Sequence, residues 1–258
     1  MTYEKPQKRN PHQLTIRQHV FPQFCIKRFC NTSGVVSFHD KQTGIISPKT
    51  PKDAVFCAMR TWDQRAESGY MKDAEDKYET LSKAIVDGGI QKLSPEHQNE
   101  ITEMFSIWNL RHYYRKNPIP DQKLNGVLDQ EPKYTKDQQE CLEKHHIGFI
   151  KEGAIVPGRD ITGVRIQLHM FDLKKRFKDG SWGIVRSDKG DFLVPDNFNK
   201  GILPVSPRIC LVFECDNMNI DSQDVAQINR WAVESSTDYY FAKDLSACPI
   251  TDSSPPQD

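Results

Sequence analysis

Four side chains of this chain carry the groups that cutting a phosphodiester requires: His19, Glu75, Arg111 and Asp196. Carboxylates hold a divalent metal, an imidazole shuttles a proton, and a guanidinium steadies the charge that develops in the transition state. The same four also suit a buried polar network that fixes helices against a sheet, as a binding or regulatory protein would use it. Residue types alone leave both readings open. Asn197, Glu79 and Asn229 accompany them as binding candidates. A divalent metal is the one cofactor such a set suggests; its identity, the substrate and the partner, whether protein or nucleic acid, are unknown.

Each candidate has an element to hold it. Asp196 follows the apolar run Phe192, Leu193, Val194, which reads as a buried strand ended by Pro195, so the carboxylate lies at a turn that Gly201 releases. That position suits a working carboxylate or an Asx-turn. His19 stands just before a helix opened by Pro22, where an imidazole reaches a ligand near the positive helix end or bonds a local carbonyl. Residues 70–87 place Tyr70, Met71, Ala74, Tyr78, Leu81, Ala84 and Ile85 at helical spacing, with Glu75 and Glu79 on one side. Ser94, Pro95 and His97 open a second helix whose wide apolar surface adjoins Arg111. A guanidinium there needs an anion, and Glu75 or Glu79 across the helix pair is the structural choice.

The remaining pattern reads as follows. Residues 1–13 form a flexible arm, and 35–48 a small hairpin over the N-terminal helix. Residues 51–67 fit a short helix or an ordered loop. Residues 116–138 are an aperiodic connection, suited to a lid or hinge, before a helix over 136–151 that contains His145 and His146. From 161 the two-residue period of Val164, Ile166, Leu168 and Met170 predicts a strand. Two more strands follow, joined by Asp188-Lys189-Gly190, then one return strand over 202–214 whose Pro204 and Pro207 confine its first half to an edge or an irregular entry. Asp221 caps a late helix with Asn229 facing inward, a last strand covers 238–243, and 245–258 read as a disordered tail. The expected fold is α+β: a single domain over 14–244, helical from 14 to 151 and an antiparallel sheet with one late helix from 161 to 243.

Several of these stretches together resemble a bacterial and phage family, the domain of unknown function number 4238. The likeness lies in His19-Val20-Phe21-Pro22-Gln23 and the helix after it, in Phe38-His39-Asp40-Lys41, in Val194-Pro195-Asp196-Asn197-Phe198, and in Ile228-Asn229-Arg230 before a terminal strand. It covers most of residues 12–243. Pro195 and Phe198 stand where the family has Ser and Pro. The resemblance implies a layout and a set of residues rather than a reaction.

Bulk properties narrow the classes. Lys plus Arg and Asp plus Glu are 35 each in 258 residues, so no net field draws the chain to nucleic acid or an anionic membrane, which weighs against a nuclease. Apolar runs stay far below the roughly 20 residues that span a bilayer. The polar N-terminus lacks the apolar core of a secretory signal, so a cytoplasmic protein is expected. The seven cysteines show no CxxC spacing and read as buried thiols ahead of zinc ligands.

Overall fold

A computed structural model describes residues 3–126 and 133–250. Seven helices lie among the described residues: α1 (Gln23–Lys27), α2 (Gln64–Ser68), α3 (Tyr70–Val86), α4 (Pro95–Lys116), α5 (Lys136–Lys144), α6 (Gly158–Arg176) and α7 (Ser222–Ser235). Their ends follow from local chemistry. Ser94 Oγ accepts from His97 N while His97 Nδ1 accepts from Ser94 N, with Pro95 in the first turn; Thr135 and Gln138 repeat the exchange at α5. Asp63 caps α2 and Asp221 caps α7 through their carboxylates. On α3 the stripe Met71, Ala74, Tyr78, Leu81 and Ile85 is buried as its spacing predicts.

Twelve strands complete the described residues: β1 (Arg17–His19), β2 (Val36–Asp40), β3 (Ile46–Lys49), β4 (Cys57–Met59), β5 (Gln122–Lys123), β6 (Ile155–Val156), β7 (Trp182–Ser187), β8 (Val194–Pro195), β9 (Ile202–Ser206), β10 (Ile209–Phe213), β11 (Met218–Ile220) and β12 (Tyr239–Ala242). They form two four-stranded sheets, ordered β11-β7-β10-β9 and β3-β2-β12-β8, and the two-stranded pairs β1-β4 and β5-β6. All pairings are antiparallel except β11 on β7. Pro204 lies on β9, an edge strand, where its missing donor costs no ladder bond. The fold is therefore α+β, helix-rich early and sheet-rich late, as the sequence predicts.

Four local expectations are corrected. Residues 161–173 are helical, part of α6, not a strand: Ile166 and Met170 are buried while Val164, Leu168 and Phe171 are exposed, and a helix apolar on two faces imitates a period of two. Strands β7 and β8 belong to different sheets, so Asp188-Lys189-Gly190 is not a hairpin turn between them. The segment 202–214 is two strands, β9 and β10, because Pro207-Arg208 turns the chain. The expected hairpin forms as β2-β3, and its first strand also pairs with β12. The helix predicted to 151 stops at Lys144, where His146 takes a left-handed φ of 63°. Residues 51–67 contain a 3-10 turn (Ala54–Phe56), β4 and α2. Of the predicted tail, 251–258 lie outside the described residues, whereas Leu245–Ala247 form a 3-10 turn and Cys248 is buried.

Candidate functional site

The four residues singled out by chemistry do not meet at one point: Arg111, on α4, and Glu75 form one network, Asp196 belongs to another, and His19 bonds a backbone carbonyl. Arg111, 2% exposed, pairs with Glu75 Oε1, has Glu67 Oε2 at 3.9 Å from Nη2, and lies over the Trp62 ring at 5.5 Å. Burial works against its charge, and the fields of Glu75 and Glu67 outweigh it. His19 lies within electrostatic range of this pair, but its Nε2 is bonded to Pro51 O at 2.9 Å and burial pushes its pKa down. This is the local-carbonyl arrangement.

Asp196 stands at the other network, 1% exposed. Its carboxylate accepts from Thr237 N (2.9 Å), Thr237 Oγ1 (2.8 Å) and Asp238 N (2.7 Å), with His112 Nε2 at 3.5 Å. Burial pushes Asp196 up, and the bonds from His112, Thr237 and Asp238 outweigh it and hold the carboxyl below the usual range. It thus ties the end of β8 to the entry of β12. Asn229 is structural as well: its amide bridges Leu193 N, Asp191 O and Pro249 O at 2.8 to 2.9 Å. Asn197 Oδ1 is buried with no hydrogen-bond partner among the described residues, and the Glu79 side chain is exposed. Among the described residues, no three His, Cys, Asp or Glu are grouped so as to hold a metal ion.

A different site is built from residues that no sequence spacing joins. A cleft of about 830 Å³ opens between the N-terminal arm, the end of β4, the end of α4 and the start of α6, lined among others by Glu4, Met59, Arg60, Arg115, Lys151 and Arg159. Arg60 is its least ordinary member. It follows β4 with a left-handed φ of 47°, is 4% exposed, and its Nε has no hydrogen-bond partner among the described residues. Its Nη2 donates to Glu143 Oε2 at 2.5 Å and its Nη1 to Glu4 O at 2.9 Å. Arg159, in the first turn of α6, donates from Nε to the same Glu143 oxygen at 3.0 Å and from Nη1 to Glu4 Oε2 at 2.5 Å. Glu143 on α5 thereby sets the planes of both guanidiniums.

The surrounding chain holds these cations in place. Lys151 Nζ donates at 2.9 Å to Glu4 Oε2 and to Asp121 Oδ2, and Lys136 Nζ bonds Glu4 Oε1. Asp121 Oδ1 accepts from Gly158 N at 2.8 Å, pinning the connection after α4 to the start of α6. Only glycine serves at 158: an added Cβ would sit 2.0 Å from Ile119 O. Arg115 lies over the Tyr239 ring at 6.0 Å, and its Nη1 is buried without a partner among the described residues. The expected flexible arm is thus docked here through Glu4, while Gln7 N bonds Glu140 Oε1 at 2.8 Å. Burial pushes Glu4 up, and Arg159, Lys136 and Lys151 outweigh it and hold its carboxyl well below the usual range. Next to Arg159, Asp160 is pushed up to about 7 by burial, helped by Asp63 and Glu143; its Oδ1 is buried without a partner among the described residues. Of the connection predicted as a lid or hinge, residues 118–121 line the cleft and 127–132 lie outside the described residues.

Comparison of the chain with family models, with curated proteins and with solved structures gives no match. No helix of the described residues is long and apolar enough to cross a membrane.

Proposed function

We propose that this is a binding or regulatory protein that holds an anionic small molecule in the basic cleft. The observation that carries the reading is Arg60: a guanidinium 4% exposed, on a left-handed backbone, with a buried donor left without a partner. A buried unpaired donor costs about 1 to 3 kcal/mol, and strain of this kind gathers at functional sites. Arg115, with its own unpartnered Nη1 in the same cleft, supports the same reading. The nuclease alternative needs His19, Glu75, Arg111 and Asp196 at one substrate atom; the separate bonding of Asp196 to Thr237 and of Arg111 to Glu75 gives it no support. On this reading the resemblance to the domain of unknown function 4238 concerns the layout, and the cleft is the working part. A cytoplasmic location belongs to the same proposal, supported by Cys25, Cys57 and Cys210, which are buried as free thiols.

The test is a thermal melt of wild type and Arg60→Gln with inorganic phosphate, sulfate and acetate at constant ionic strength. A polyvalent anion should raise the wild-type Tm and leave the folded variant unmoved. Equal shifts in both proteins would remove the cleft from consideration.

A further inference from the structure

The cleft already contains an anion, and it is part of the chain. One oxygen of Glu4 takes Lys136 and the other takes Lys151 and Arg159, so three cations from three segments converge on a single carboxylate. Such convergence is the usual setting of a ligand's anionic group rather than of a surface glutamate, whose ion pairs are few and exposed.

We propose that the Glu4 carboxylate is a tethered stand-in for the ligand's anionic group, that the N-terminal arm thereby blocks the cationic end of the cleft while its body stays open, and that the ligand displacing it is a phosphorylated small molecule; the proposal rests on the anion-cleft reading above. The charges fit a dianion better than they fit Glu4. Arg60, Arg115, Lys136, Lys151 and Arg159 supply five positive charges, against Asp121, Glu140 and Glu143 once Glu4 has left. Two charges then remain to be met, as a phosphate monoester meets them. Asp160, 3.9 Å from Arg159 Nε, takes up to one of these charges as the pH rises through its raised pKa of about 7, so the surplus is fullest on the acid side.

The donor count points the same way. A carboxylate has two oxygens, and with Glu4 in place Arg60 Nε and Arg115 Nη1 have no partner among the described residues. A phosphoryl group brings a third oxygen and more acceptor directions. Beside these donors Met59, Pro118 and Ile119 offer an apolar wall, and about 830 Å³ suits a body the size of a sugar or a nucleoside. The arm is also built to leave. Its polar ties are Glu4, Gln7 and His12, whose Nε2 lies 2.8 Å from Asp137 Oδ1, and its first core side chain is Leu14, 3% exposed. A segment held by exchangeable polar contacts detaches at far lower cost than one anchored in the core.

The experiment uses the full-length chain, wild type and Glu4→Gln, titrated calorimetrically with inorganic phosphate and with acetate, and a trypsin digest of wild type followed at Lys8 and Arg9. Phosphate should bind the variant at least tenfold more tightly than wild type, acetate should bind neither comparably, and phosphate should speed cleavage of the wild-type arm. Equal phosphate affinity in the two proteins, with an unaltered digest, overturns the stand-in role and leaves the anion cleft intact. Acetate binding as tightly as phosphate overturns the phosphoryl assignment. Absence of phosphate binding to both folded proteins overturns this proposal and the cleft reading together. The digest needs no substitution, so the arm's release is read even if Glu4→Gln folds poorly.

Discussion

Asp196 and Glu4 are both carboxylates gripped by three donors, yet the donors differ in kind. The closest on Asp196 are two backbone amides and a hydroxyl at Thr237 and Asp238, fixed by the strand they introduce, with His112 Nε2 further off at 3.5 Å. Those on Glu4 are the ends of Lys136, Lys151 and Arg159, long side chains that keep their charge and reach whether or not Glu4 is present. A carboxylate bound by backbone belongs to the fold, and breaking its bonds opens the sheet. One bound by cations is exchangeable, because another anion satisfies the same donors.

Arg111 belongs on the fold side of this contrast, and Arg111→Ala should show the largest effect. Removing one partner of a buried pair costs about 3 to 5 kcal/mol, read by urea unfolding, and Glu67 and Glu75 are left without their counter-ion. Asp196→Ala should cost about 2 to 4 kcal/mol by the same measurement, with phosphate binding unchanged wherever the protein is folded. A loss under about 1 kcal/mol would break the comparison, since the carboxylate would then be dispensable to the fold.

The pH dependence sharpens it further. Asp196 and Glu4 have folded pKa values below their unfolded ones, so the stability they add is present above about pH 4 and is lost as the pH falls through the folded values. Asp160 has the opposite sign. Raised to about 7 from 3.8, it contributes fully below its unfolded value, and that contribution is lost as the pH rises through 7. Asp160→Asn should therefore hold its Tm more nearly constant between pH 5 and 8 than wild type does. The smallest effect is expected at Glu79→Ala, within about 0.5 kcal/mol, because that side chain is exposed on α3; a larger loss would reinstate it as a partner of Arg111.

Much of the fold was legible because its signals are local. The cap and proline of α4, the buried stripe of α3 and the Asp221 cap of α7 each lie within one helix turn or one helical face. That Arg111 pairs with Glu75 or Glu79 followed from the rule that a buried guanidinium needs an anion, and the structure takes Glu75. Helix α6 was misread because apolar residues on its exposed face filled the gaps between those on its buried face. The partition of β7 and β8 between two sheets depends on pairings with β10 and β12, far along the chain. The cleft was not legible at all. Glu4, Arg60, Arg115, Lys151 and Arg159 come from five segments, and each alone reads as an ordinary surface charge.

The place of β12 in its sheet has a consequence for how the protein is made. It lies between β2 and β8, pairing Phe241 with Phe38 on one side and with Val194 on the other. A ribosome releases β2 some two hundred residues before the strand that covers its open edge, at ~5 to 20 residues per second. For that interval Val36 and Phe38 lie on an unpaired edge, the kind of surface that chaperones shield. Nascent chains halted ahead of Tyr239 should therefore stay sensitive to protease along β2, and completion of the last strand should close the sheet in a single late step.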